Sequence, residues 1–88
     1  MKIKDGFVLR SVSDAYVVIA LGEAARTFGG MVTLNPSGAL LWKKLETGCE
    51  STDELVAVLV NEYEVSPEVA ARDVELFLQK ISGAGLLE

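Results

Sequence analysis

The sequence predicts an α+β fold in which a three-stranded antiparallel meander is followed by three helices. Before residue 35 the chain is dominated by short apolar and β-branched runs. After that point the apolar period changes from two to about 3.6 residues, as in helices. Asn35–Pro36 marks the change, with asparagine at a helix N-cap and proline at N1. This order favours a sheet with one face covered by helices, and 88 residues predict a single domain over residues 1–88.

The first two strands are predicted from their alternation and composition. Phe7–Val12 alternates well enough for a half-buried strand, and Ser13–Asp14 is typical of a tight turn. Tyr16–Leu21 is rich in β-branched residues and almost continuously apolar. We therefore expect it to be the central strand, covered on both faces for part of its length.

The third strand is predicted at Met31–Leu34, and Gly29–Gly30 before it would permit a bulge or bend. The preceding stretch, residues 23–30, leaves three alternatives open. It is compatible with a loop, with a short helical turn, or with the start of the third strand.

Each of the three helices has a start signal. The first follows Asn35 and stops at Gly48, the second opens with the capping box Ser51–Glu54, and the third opens at Ser66–Pro67. The third helix is expected to end at Gly83 or Gly85, after which Leu86–Leu87 can pack back on the core.

The residue types offer almost nothing for catalysis. The chain has no histidine, which removes the commonest general base and metal ligand. Cys49 is the one cysteine, and with Glu50 beside it we expect a surface or half-buried thiol without function. The pairs Asp53–Glu54 and Glu62/Glu64 are expected to be solvated charges near helix ends. No phosphate-binding loop is present, so we predict a non-catalytic protein without metal or cofactor.

Charge and hydropathy narrow the classes of partner. The net charge is −5, and residues 36–88 hold ten acidic against four basic side chains, which argues against nucleic acid. No apolar run approaches the roughly 18 residues of a membrane span. The first residues lack the apolar region of a secretory signal, and a lone cysteine fits a reducing compartment. We therefore expect a cytoplasmic location.

The third helix carries two stripes along its length. One stripe is wholly apolar and is predicted to face the core; it consists of Ala70, Val74, Phe77 and Ile81. The second stripe mixes apolar and charged side chains and consists of Val69, Asp73, Leu76 and Lys80. Two interpretations of the mixed stripe stay open. It is either the edge of the core with charges at its rim, or one wall of a groove that holds a partner.

The third strand would form the other wall of such a groove. In a meander of order 1-2-3 this strand has a free edge, and Met31, Val32, Thr33 and Leu34 include no charge or proline to protect it. An extended peptide could add there as a fourth strand. Alternatively, residues 23–30 or a second copy of the chain, in a homodimer, would cover this edge.

Several segments together resemble the PqqD family. They are residues 30–39 (Gly-Met-Val-Thr-Leu-Asn-Pro-Ser-Gly-Ala) with Leu40-Leu41-Trp42, the helix Thr52–Leu59, the run Asp73–Leu78, and the ending Gly85-Leu86-Leu87. Each motif alone is weak, but their order and spacing from about Phe7 to Glu88 are fairly specific. Residues 22–30 are longer and more glycine-flanked than the short hairpin of many members.

This resemblance implies a winged-helix-like fold and a precursor-recognition function in the biosynthesis of ribosomally made, modified peptides. Such domains bind the leader of a precursor peptide as an added strand, between the third strand and the third helix. They present it to a modifying enzyme, often a radical SAM protein. The residues implied are Met31, Val32, Thr33 and Leu34 on the strand and Val69, Asp73, Leu76 and Lys80 on the helix.

Two other functional classes stay open from the sequence. A winged-helix DNA-binding protein would need a basic recognition helix, whereas residues 66–82 hold three acidic and two basic side chains. A self-associating structural subunit would instead pair the free strand edge in a homodimer.

Overall fold

The computed structural model describes residues 1–28 and 31–88. Three antiparallel strands precede the three long helices, which confirms the predicted α+β layout. One short helix is added between the second and third strands. In chain order the elements are β1 (Phe7–Val12), β2 (Ala15–Ala20), α1 (Ala24–Thr27), β3 (Val32–Leu34), α2 (Pro36–Thr47), α3 (Thr52–Glu62) and α4 (Pro67–Gly83).

The sheet has the order β1-β2-β3, so β2 is central as predicted. Val12 pairs with Ala15 across the tight turn, and Val17 pairs with Thr33 on the other side. The expectation that β2 is covered on both faces is wrong. Val18 is buried against the helices, whereas its neighbour Ile19 points to the other face and is exposed, because only one face of the sheet is covered.

The segment before β3 forms one helical turn, α1, which was one of the three alternatives. Phe28, just after it, packs edge-on against Phe7 of β1 with ring centroids 5.2 Å apart. Ala24 lies so close to Gly6 that a side chain at Gly6 would meet it at 2.8 Å. The described part of this segment therefore lies towards β1, away from the free edge of β3. The bulge expected at Gly29–Gly30 lies outside the described residues.

The predicted helix starts are confirmed. Asn35 accepts a hydrogen bond from the Gly38 N–H at 2.8 Å, and Ser66 accepts one from the Val69 N–H at 3.3 Å. The capping box at the start of α3 is present as well, because the Glu54 carboxylate accepts from the Ser51 N–H at 3.2 Å. These caps satisfy amides that the helices themselves leave unpaired.

The core lies between the sheet and the helices. The predicted apolar stripe of α4 is buried throughout, and it packs with Trp42 and Leu55, which are fully enclosed. Leu86 is also fully buried, as expected, and Ile3 forms a bridge with Leu87. The first and last segments of the chain thus close the core together.

Within residues 1–28 and 31–88, every helix is too short or too polar to cross a membrane.

The capping box makes part of the stability dependent on pH. Hydrogen bonds from the backbone N–H groups of Glu50 and Ser51 hold the pKa of the Glu54 carboxyl below its ordinary value. Because the folded pKa is the lower one, this contribution is present above the unfolded pKa of about 4.3 and is lost as the pH falls through the folded value.

We expect Glu54→Gln to reduce the loss of unfolding free energy between neutral and acidic pH. Urea denaturation over this pH range measures the effect, with Glu46→Gln at an exposed position of α2 as the control. Identical pH profiles for the wild type and Glu54→Gln would contradict it.

Candidate functional site

The mixed stripe of α4 lies on the surface. Leu76 is 59% exposed and Val69 is 46% exposed, so neither side chain belongs to the packed core. Asp73 and Lys80 are exposed on the same helix. Two exposed apolar side chains and two charged ones therefore share this face of α4.

A direct contact joins α4 to the edge of the sheet. The Lys80 ammonium donates a hydrogen bond to the Thr33 carbonyl oxygen, and the two atoms are 2.5 Å apart. In an antiparallel strand the N–H and C=O groups of one residue point to the same side. Since the Thr33 carbonyl points away from β2 and towards α4, the Thr33 N–H also faces the free edge.

A pocket of about 200 Å³ opens between β3, the start of α2 and α4. Leu34, Leu41 and Phe77 supply apolar lining, and Asp73 and Lys80 supply charge. Gly38 keeps this region open, because a β-carbon there would lie 3.1 Å from the Asn35 side-chain oxygen and 3.4 Å from the Leu34 side chain. The pocket can therefore accept one apolar group while polar atoms remain at its mouth.

A second pocket, of about 370 Å³, continues the first beyond Asp73. Asn35, Ser37 and Asp73 line both pockets, so the two form one continuous cleft. Tyr63 and Val65, which follow α3, line the far end. The sequence alone does not indicate this part of the site, because an apolar pair at the end of a helix is common in any core.

The eight residues predicted for the site fall into three groups. Leu34, Asp73, Leu76 and Lys80 line the first pocket, and Thr33 joins it through its contact with Lys80. Val32 is half-buried towards the core. Met31 lies before the first residue of β3 and faces a different pocket beside Phe28, and Val69 lines neither part of the cleft.

The charges of the cleft are not neutralised within the part of the chain that the structure describes. The one ion pair found there is Lys44–Glu54, on other faces of the molecule, and Asp73 forms no hydrogen bond through its side chain. Lys80 contacts only the uncharged Thr33 carbonyl. Both charges are therefore available to a bound molecule.

Cys49 lies away from the cleft and is buried, not at the surface or half-buried as expected. Its thiol donates to the Ser51 carbonyl oxygen at 2.9 Å, and its backbone N–H bonds the Met1 carbonyl, which together hold it inside. Burial raises the pKa of the thiol, so it is a weak nucleophile. Among residues 1–28 and 31–88, no three acidic, histidine or cysteine side chains are grouped closely enough to hold a metal ion.

The fold and the cleft define a small α+β domain that presents a free strand edge beside a partly apolar, partly charged helix face. The chain belongs to the PqqD family, because the family model for coenzyme PQQ synthesis protein D (PqqD) matches residues 12–87. No curated protein matches the chain.

Two solved structures have the same fold. TbiB1 in complex with the TbiA(beta) leader peptide is 31% identical, with a TM-score of 0.78 over 100% of this chain and 95% of that chain. Lasso peptide synthetase B1 complexed with the leader peptide is 22% identical, with a TM-score of 0.74 over 97% of this chain and 93% of that one. The second likeness concerns the fold alone.

Proposed function

We propose that this protein is a non-catalytic module that binds the leader segment of a ribosomally made precursor peptide in the cleft between β3 and α4. The observation that carries the proposal is the outward-facing backbone of Thr33, which lies on the outer edge of the sheet directly beside α4. Membership of the PqqD family supports it, as does the likeness to TbiB1, which was solved with a leader peptide.

The bound segment would extend the sheet as a fourth strand. Its backbone would exchange hydrogen bonds with the N–H and C=O groups of Thr33, while every second side chain would point towards α4. One apolar side chain of the peptide would pack on Leu76 and enter the pocket that Leu34 and Phe77 line. Main-chain pairing supplies affinity here, and the pocket supplies specificity.

The module would act by presenting the precursor to a modifying enzyme. A radical SAM enzyme is the candidate, because it is the kind of partner that the family resemblance implies. Residues 1–88 would function as one unit, and the lack of histidine and of a reactive thiol fits a division of labour in which a partner performs the chemistry.

The test is an NMR titration with short peptides encoded next to the gene of this protein. We expect amide shifts at residues 31–34 and along the 69–80 face of α4. Shifts confined to α1 and β1, or no binding at high micromolar peptide, would contradict the proposal. Sedimentation with and without peptide distinguishes it from the structural alternative, since a stable dimer that peptide does not alter would favour pairing between two copies.

Replacing Leu76 is expected to separate binding from stability. Burying a leucine contributes about 1.5–3 kcal/mol, so Leu76→Asp should weaken peptide binding at least about tenfold. Because Leu76 is exposed, the free energy of unfolding should change by no more than about 0.5 kcal/mol. Fluorescence anisotropy and urea denaturation measure the two quantities.

The matched control for Leu76→Asp is Val12→Asp, an equally exposed apolar position at the end of β1, on the opposite edge of the sheet. It should leave binding unchanged. Equal losses of affinity in the two variants would contradict the proposal, because they would show that the effect does not depend on the position of Leu76 in the cleft.

A further inference from the structure

Asp73 and Lys80 hold opposite charges at the two ends of the helix wall, with Leu76 between them. All three side chains line the same pocket. Among the residues that the structure describes, neither charge has an oppositely charged partner. The cleft is therefore polarised along its length, and a peptide lying in it would meet a negative charge at one end and a positive charge at the other.

The direction of this polarity relative to β3 follows from the contacts. Lys80 contacts Thr33 in the strand, whereas Asp73 lies beside Asn35 and Pro36, just after the strand ends. The helix α4 therefore runs antiparallel to β3. A peptide that pairs antiparallel with β3 consequently runs in the same direction as α4, and its earlier residues lie near Asp73.

Antiparallel pairing is the expected arrangement. Both strand pairs in the sheet are antiparallel, and this pairing is slightly more stable per residue than the parallel one. Asp73 and Lys80 are seven positions apart, which corresponds to about 10.5 Å along the helix at about 1.5 Å per residue. At about 3.4 Å per residue, an extended peptide covers that length in three to four steps.

We propose that the cleft selects the order of charges in the bound peptide: a basic residue, an apolar residue two positions later, and an acidic residue four positions later. Alternate residues of a strand share one face, so these three side chains point together at Asp73, Leu76 and Lys80. The proposal rests on the proposed function and specifies its substrate class.

Lys80 has a second part in this selection. In the free protein its ammonium donates a hydrogen bond to the Thr33 carbonyl oxygen, which is the acceptor that a bound strand needs. A peptide N–H that bonds this carbonyl competes with the ammonium for the oxygen, and an acidic side chain of the peptide offers the ammonium a charged partner instead. Without that acidic residue, water alone would replace the contact that the ammonium loses.

The test is selection from a random dodecapeptide display library on immobilised protein, compared between the wild type and the charge-exchanged variant Asp73→Lys/Lys80→Asp. We expect the wild type to enrich the order basic, apolar, acidic at alternate positions about tenfold over the reverse order at low salt. The exchanged variant should enrich the reverse order. The control, Lys43→Glu/Glu46→Lys on the exposed face of α2, should select as the wild type does.

The outcomes separate this inference from the function on which it rests. Enrichment of peptides without a preferred charge order, or of the same order by the wild type and the exchanged variant, overturns the charge selection and leaves peptide binding in place. A wild type that prefers the reverse order overturns it too. Failure of the wild type and the control to enrich any peptide counts against peptide binding itself.

Discussion

Thr33→Pro is expected to weaken peptide binding by at least about fivefold while the domain stays folded. The Thr33 N–H faces the free edge, so proline removes a donor that a bound strand needs without breaking a bond to β2. An unsatisfied buried partner costs about 1–3 kcal/mol, which corresponds to a loss of affinity of about five- to 160-fold. The bulk of the proline ring on the pairing edge adds to this loss.

The experiment uses the peptide identified by titration and follows its fluorescence anisotropy. Thr33→Val is the matched control, because it keeps the N–H and a β-branched side chain. Circular dichroism should show near-native secondary structure for both variants, since proline is tolerated on edge strands. Unchanged affinity of a folded Thr33→Pro variant would exclude strand addition at this edge.

Trp42→Ala is expected to bring the domain close to unfolding. Trp42 is fully enclosed in the core, and replacing such a residue by alanine costs about 3–5 kcal/mol. A domain of 88 residues has a total stability of about 4–13 kcal/mol, so this loss is a large share of it. Urea denaturation followed by circular dichroism measures the change, because the variant lacks the only tryptophan of the chain.

Trp42→Phe provides the comparison. The Trp42 indole N–H is buried without a hydrogen-bond partner among the described residues, so phenylalanine removes an uncompensated donor along with part of the ring volume. Its destabilisation should be clearly smaller than that of Trp42→Ala. Equal losses for the two would show that the aromatic ring fills little of the core.

The elements that depend on local chemistry could be predicted from the sequence. The Asn35 and Ser66 caps and the buried stripe of α4 follow from residue types at fixed spacing, and the structure has all of them. The exposure of Ile19 could not be predicted, because a continuous apolar run does not show which face the helices will cover.

The same distinction applies to the cleft. The mixed stripe of α4 could be found by helical periodicity, but the pocket beside Tyr63 and Val65 exists only because the end of α3 lies next to the start of α2. The composition predicts a strand that begins at Met31, whereas β3 begins one residue later, at Val32. Which backbone groups of β3 face outward depends on register, and a one-residue shift would exchange them.

The shortness of β3 limits how far other copies of the chain can extend the sheet. A long exposed edge is a template on which further chains stack without limit. Here the strand has three residues, and only the middle one turns its backbone outward, where a lysine already shields its oxygen. So short a strand offers one outward-facing residue for pairing, where a long edge offers many. The shortness of the strand therefore limits edge-to-edge pairing between copies of this chain, although β3 itself contains no charged residue or proline.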